Sequence, residues 1–183
     1  MSPSHSEEPT IESRRIYSGK IIGVRVDTVT LPHGGTSQRE IVEHGESVVA
    51  VPVDSQQRVL LVRQYRKAPE IALLEAPAGG LEEGESPEEG VRRELQEEIG
   101  LKPGTLHHIG GFWMTPGFCT EYMHAYIATD LQESDLPSDE DENIEVVPVP
   151  LSQVESLIRS GEIEDAKSIA VLLMAIHIYN DSL

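Results

Sequence analysis

A single cysteine, Cys119, leaves this 183-residue chain no partner for an intrachain disulfide, which suits a reducing cytosol. Aromatic side chains are scarce. Beyond Trp113, Phe112 and Phe118 there are five tyrosines, so a core must be built mainly from valine, isoleucine, leucine and alanine. Basic residues are outnumbered, 14 Lys and Arg against 32 Asp and Glu, for a formal net charge of -18. Nucleic-acid binding through a basic face is thereby disfavoured, because phosphate contacts need clustered cations. The longest apolar run, IAVLLMAI at 169–176, falls far short of the roughly 20 residues that cross a bilayer. The N-terminus MSPSHSEEPT is polar and acidic, unlike a signal peptide. A cytoplasmic globular protein, with no membrane or nucleic-acid partner, is expected.

What the chain has in excess is carboxylate, unevenly spread. Residues 82–98 carry eight glutamates, and 131–145 carry seven acids with no Lys or Arg. An acidic chain can still handle a polyphosphate if divalent cations sit between carboxylate and phosphate.

Periodicity divides the rest. Residues 1–12 read as a disordered tail, poor in anything to bury. Residues 13–45 read as N-terminal β-strands broken by the Pro-His-Gly-Gly turn, and 46–183 as the main domain. SVVAVPV (47–53) and RVLLVRQYR (58–66) flank the turn DSQQ and predict an antiparallel hairpin. ALLEAP (72–77), LHHIGGFWMT (106–115), YMHAYIATDL (122–131) and IEVVPVPL (144–151) predict further strands. A helix is expected over 86–99, capped by Ser86 with Pro87 in its first turn, Glu89 closing a capping box and Gly100 as its stop. Ser152–Ser160 predicts a capped helix ending at Gly161, and 166–179 an apolar helix. Many short strands with a few helices give an α+β class, helices packed on mixed sheet. Strands 17–44 cannot stand alone; donated to a second copy they would gain a partner sheet, which favours a homodimer with exchanged N-terminal strands.

The helix raises an electrostatic problem. Glu94, Glu97 and Glu98 stand at i, i+3 and i+4, with Glu94 and Glu98 on neighbouring turns of one face. Such a like-charge pair costs roughly 0.2–0.5 kcal/mol even when exposed. A hard divalent cation with oxygen ligands would relieve it. A solvated glutamate-rich face is the plainer reading, and spacing alone leaves both open.

The full stretch is more specific. Gly79, five residues, Glu85, seven residues, then Arg93-Glu94-Leu95-x-Glu97-Glu98-x-Gly100-Leu101 resembles the Nudix box at each of its defined positions. The resemblance implies the Nudix fold, a mixed β-sheet between helices in an αβα sandwich, here with an N-terminal antiparallel β-strand extension. It also implies hydrolysis of a nucleoside diphosphate linked to another group. Glu94 and Glu98 would bind metal with Glu97 close by as a catalytic residue, while Glu85 and Arg93 would pair to hold the loop–helix–loop that starts at Gly79 and ends at Gly100.

LLEAPAGGLEEGE, VRQYRKA, TPGFCTE with Pro116 and SGEIEDAKSIAVLLMA narrow the resemblance to the ADP-ribose pyrophosphatases. That subfamily implies a metal-binding carbonyl from Ala78, and glutamates of the loop DEDENIEV, here Glu140 and Glu142, over the metal. One of them would be the general base, with Glu142 also a metal ligand. Mg²⁺ is expected, with Mn²⁺ an alternative. ADP-ribose would give AMP and ribose 5-phosphate. Arg66 would bind phosphate or ribose, and Arg39 and Glu40 would meet the adenosine from the partner subunit. Glu121 would reach the substrate. Two other readings stay open: a Nudix pyrophosphatase for another nucleoside diphosphate sugar, and a catalytically silent Nudix-like binding module.

Overall fold

The computed structural model describes residues 7–134, 136–137 and 143–181. The chain forms two compact units: one takes it up to Gly45 together with Trp113–Tyr122, the other holds Glu46–Phe112 and Met123–Leu183. The segment 113–122 thus joins the N-terminal strands, where the sequence suggested a division at 45/46 alone.

In the first unit, β1 (Thr10–Ser18), β2 (Gly23–Thr30) and β3 (Thr36–Glu43) make an antiparallel meander in the order β1-β2-β3. The strand starts at Thr10, so the expected tail of 1–12 is too long by its last three residues: Ser13 Oγ donates to the buried Asp27, and the ladder runs on to a pairing of Thr10 with Val29. The PGFCT loop lies along the end of β3. Val42 N–H donates to the Phe118 carbonyl at 2.7 Å, Thr120 N–H returns to the Val42 carbonyl at 3.0 Å, and His44 N–H reaches Thr120 Oγ1.

In the second unit, β7 (Ala78–Gly80), β4 (Ser47–Pro52), β9 (Tyr122–Glu133) and β8 (Leu101–Trp113) form a four-stranded sheet in that order, β8 and β9 running on into the first unit. β10 (Ile144–Pro150), β5 (Arg58–Arg66) and β6 (Ile71–Glu75) form a three-stranded one. β4 runs parallel to β9 and antiparallel to β7. The expected hairpin of β4 with β5 does not form. The turn is there, with Gln56 and Arg58 N–H both on Asp54 Oδ1, but pairing stops at one bridge, Val53 to Val59. Beyond it both edges of β5 are taken by β6 and β10 and both edges of β4 by β7 and β9. Every residue of β4 is buried. A strand covered on both faces carries no alternation, and long-range pairing overrides the local turn signal.

Among the described residues three helices complete this unit: α1 (Pro87–Ile99), α2 (Val154–Ser160) and α3 (Ala166–Asp181). Val91, Leu95 and Ile99 of α1 pack with Val48 and Ala50 of β4, Leu60 and Val62 of β5, and Tyr126 and Ala128 of β9. Val49 and Val51, which alternate to the other face of β4, are fully buried, and α3 packs on that strand. β4 therefore lies between α1 and α3, the helix–sheet–helix layering anticipated. α2 differs in detail: a 3₁₀ turn, Leu151–Gln153, leads into it, and Ser152 provides no cap. Gly161 ends it with φ 78, a left-handed conformation that glycine takes without a Cβ penalty.

Candidate active site

The loop–helix segment is held by local chemistry legible residue by residue. Ser86 N–H donates to Glu89 Oε2 at 3.0 Å, Glu89 N–H donates back to Ser86 Oγ, Pro87 opens the helix, and Gly100 closes it with φ 68. Burying the stripe Val91, Leu95 and Ile99 fixes the rotation of α1. That rotation carries Glu94 and Glu98 to the edge where β7 passes.

Glu98 is only 6% exposed, and its Oε2 accepts the Ala78 N–H at 3.2 Å. Glu94 lies against the bare Cα of Gly79: a Cβ there would stand 2.0 Å from Glu94 Oε1. The two carboxylates thus sit against consecutive residues of one loop strand. Gly90 serves the same packing from the helix side, since a Cβ on it would meet Leu81 Cδ2 at 2.4 Å. Nothing in the spacing alone marked Gly90.

Arg93 is the hub. Its Nε and Nη2 grip Glu85 Oε1 and Oε2, each at 2.9 Å, and Nη2 also donates to the Gly80 carbonyl at 2.8 Å. Its Nη1 reaches Glu94 Oε1 at 2.7 Å and Glu97 Oε2 at 2.9 Å. The fork-to-fork pair with Glu85 ties the loop to the helix, as expected. Arg93 holds the Glu85 carboxyl below the usual carboxylate range, and Glu85 in turn raises the guanidinium further above its own.

A second charged group stands beside this one. Glu75, at the end of β6 and 2% exposed, accepts Arg66 Nη2 at 2.6 Å and Lys167 Nζ at 2.9 Å. Arg66 also lies within the field of Glu98. The sequence singled out Arg66 but not its partner Glu75, nor Lys167 on the same carboxylate. The available signal was a glutamate inside the apolar run LLEAPA, a residue type that is seldom buried unpaired.

The other expected substrate residues belong to the first unit. Arg39, on β3 opposite Asp27, donates through Nε and Nη2 to Glu8 at 2.8 and 2.7 Å. Glu40 follows it on the strand, opposite Val26. Glu121 comes within 3.9 Å of His44 Nδ1. Glu140 and Glu142 lie outside the described residues.

A hard divalent cation fits the donor set in kind. Glu94, Glu98 and the Ala78 backbone offer only oxygen, the ligand such ions prefer. Among the described residues no three His, Cys, Asp or Glu side chains converge as a ready cage. The remaining positions would fall to water and substrate phosphates.

Comparison with known proteins identifies the family. The NUDIX domain model matches residues 43–172, which span the whole loop–helix segment. The chain belongs to the Nudix family. A second model, the nucleoside diphosphate sugar hydrolase N-terminal domain, matches residues 8–42, the meander. This Nudix chain is 42% identical to an ADP-ribose pyrophosphatase of Bacillus subtilis, over 88% of its own length and 89% of the relative's. It is 36% identical to the methanol dehydrogenase activator of Bacillus methanolicus, over 89% of each. Its fold matches a crystal structure of an ADP compounds hydrolase with a TM-score of 0.90 at 23% identity, covering 99% and 98% of the two chains.

Proposed function

We propose that this Nudix hydrolase cleaves the pyrophosphate of ADP-ribose to AMP and ribose 5-phosphate. The observation that carries the reading is the seating of Glu94 and Glu98 against Gly79 and Ala78 on a loop locked by Arg93. The substrate is supported by the 42% identity, across nearly the full length, to a protein named for that activity.

Glu94, Glu98, the Ala78 carbonyl and Glu142 would hold Mg²⁺, with Mn²⁺ an alternative. When bound, such an ion offsets the charge of the diphosphate and makes a neighbouring water more acidic. The chain's own residues do the rest. Arg66 takes a phosphate oxygen, and Glu97, through Arg93, keeps the helix and loop in register. Water attacks one phosphorus in line, its proton passes to the carboxylate of Glu142 or Glu140, and the P–O–P bond breaks with the electron pair leaving on the other phosphate. Arg39 and Glu40 recognise the adenosine side, and Glu121 reaches the substrate.

The active form is a homodimer that exchanges the N-terminal meander, in the cytoplasm. Every residue of β1 is exposed, Ile11, Ile16 and Tyr17 on it are 61%, 49% and 54% accessible, and β1 is the outer strand of its sheet. A monomer by light scattering at micromolar concentration would refute this arrangement. A second reading, another nucleoside diphosphate sugar as substrate, is favoured by the description of the N-terminal model. Both readings are tested by product analysis of ADP-ribose beside UDP-, GDP- and other ADP-sugars, with and without Mg²⁺. Metal-dependent AMP release, fastest from ADP-ribose, is expected. Faster cleavage of another sugar nucleotide replaces the substrate, and no cleavage of any points to a silent binding module.

A further inference from the structure

We propose that Lys167, at the start of α3, is a positioning residue that holds the Arg66 guanidinium at the site through the buried carboxylate of Glu75. The inference rests on the reading of Arg66 as a ligand of the substrate diphosphate.

The geometry is a relay with one fixed centre. Glu75 Oε2 accepts both Arg66 Nη2 at 2.6 Å and Lys167 Nζ at 2.9 Å, while Arg66 Nε lies 3.2 Å from each carboxylate oxygen. The Lys167 side chain is 11% exposed and that of Glu75 2%, whereas Arg66 is 35% exposed. The anchoring end is therefore buried, while the Arg66 side chain stays partly open to solvent. Arg66 Nη1 donates to no described residue.

Lys167 is itself pinned. Asp165 Oδ2 accepts its Nζ at 2.9 Å and also accepts Ser168 N–H and Oγ–H at 3.0 and 2.6 Å. Ser168 Oγ then accepts the Ala76 N–H at 2.7 Å, which fastens the start of α3 to the residue after Glu75. Two residues further on are Ala78 and Glu98's hydrogen bond. The two cations and two carboxylates, Arg66, Lys167, Glu75 and Asp165, balance in charge.

Without Lys167, one carboxylate oxygen of Glu75 loses its second cation and turns toward Arg66 alone. The guanidinium is then drawn inward, away from the open side that a phosphate would occupy. Arg66 contacts the diphosphate in both ground and transition states, so the loss falls on KM more than on kcat.

The test uses full-length protein with ADP-ribose and Mg²⁺. Lys167→Met unbalances Asp165 and could unfold the chain, so Lys167→Met/Asp165→Asn, which keeps the charge balance, is made beside it. Thermal denaturation is measured for each. The folded double variant should raise KM by about 10–100-fold with kcat within about threefold. Adding Arg66→Met to that background should raise KM no further than Arg66→Met does alone, and Lys167→Arg should recover most of the loss. A KM unchanged in a folded variant, or effects of the Lys167 and Arg66 substitutions that multiply, would overturn the proposal. If wild type turns over no ADP-ribose, the functional reading fails first. If Arg66→Met alone leaves KM unchanged, the premise about Arg66 fails, and the positioning role with it.

Discussion

Replacing Gly79 by alanine should remove turnover while sparing the fold. The new Cβ would lie 2.0 Å from Glu94 Oε1, 2.2 Å from its Cδ and 2.4 Å from Oε2, where real contacts stay beyond 3.0 Å. The carboxylate must then retreat by about 1 Å or more. What stands in the way is the end of a flexible side chain, so the helix need not move. An off-rotamer glutamate costs about 0.5–1.5 kcal/mol. Against this, Gly79 is not among the positive-φ glycines, so alanine is compatible with its backbone and regains about 0.4–1 kcal/mol by restricting the unfolded chain. The net change is about 0–1 kcal/mol, a Tm lower by roughly 4 °C at most. Activity is another matter, because a displacement of about 1 Å in a positioned catalytic group can cost on the order of 100-fold. AMP release from ADP-ribose at saturating Mg²⁺, beside a thermal melt followed by circular dichroism, reads both quantities. A rate within threefold of wild type would refute the assignment of Glu94. A Tm drop of 10 °C or more would show that Gly79 serves the backbone and not the carboxylate.

Other perturbations separate the remaining parts. Glu98→Gln should abolish turnover with Tm nearly unchanged, since an amide oxygen can still accept the Ala78 N–H; persistent turnover would show that the charge of Glu98 is not used. Arg93→Ala removes the donors to Glu85, Glu94, Glu97 and the Gly80 carbonyl, and should destabilise by roughly 2–4 kcal/mol in urea denaturation; a loss under about 1 kcal/mol would contradict its role as hub. Ser86→Ala should cost about 1 kcal/mol through the lost cap, with kcat unchanged. The pH profile follows from two carboxyls whose folded values are depressed. Arg93 holds Glu85 down; burial would raise Asp165, but Lys167 and the Ser168 donors outweigh it. A depressed folded value contributes stability above the unfolded value and loses it as pH falls through the folded one. The urea midpoint should be flat above about pH 5 and decline below about pH 4, less steeply in Glu85→Gln; an equal slope in that variant would refute the contribution of Glu85.

The box was legible because its signals are local. Ser86, Pro87, Glu89 and Gly100 lie within one helix and its caps, and the helix that forms spans Pro87–Ile99 as they require. The pairing of Glu85 with Arg93 crosses only eight residues. Failures came where partners are distant in sequence. The β4–β5 hairpin was inferred from a turn that does form, yet β9, more than seventy residues on, takes one edge of β4. Nothing in the PGFCT loop itself pointed to Val42 and His44, to which it hydrogen-bonds. Glu75 and Lys167 are 92 residues apart, and no spacing rule joins them. Local chemistry writes itself into neighbouring residues, whereas ion pairs between elements appear in a sequence only as oddities, such as one acid in an apolar strand.

The crowding of acid in residues 82–98 now divides by task. Glu89 closes the capping box, and Glu85 ties the loop to the helix through Arg93. Glu97 meets the same guanidinium from the next turn. These three answer their own repulsion locally, with backbone N–H groups or a single arginine. Glu94 and Glu98 differ, for they are pressed against two small residues of β7, Ala78 and Gly79, that bring backbone close to them. A solvated acidic face would need neither a glycine there nor the burial of Glu98, since exposed carboxylates gain most from water. Burial of one carboxylate beside another, with Arg66 near, is the arrangement that an added cation and an anionic substrate would relieve together. On this ground the glutamate-rich segment reads as a site, and Glu98 is the residue on which that reading turns.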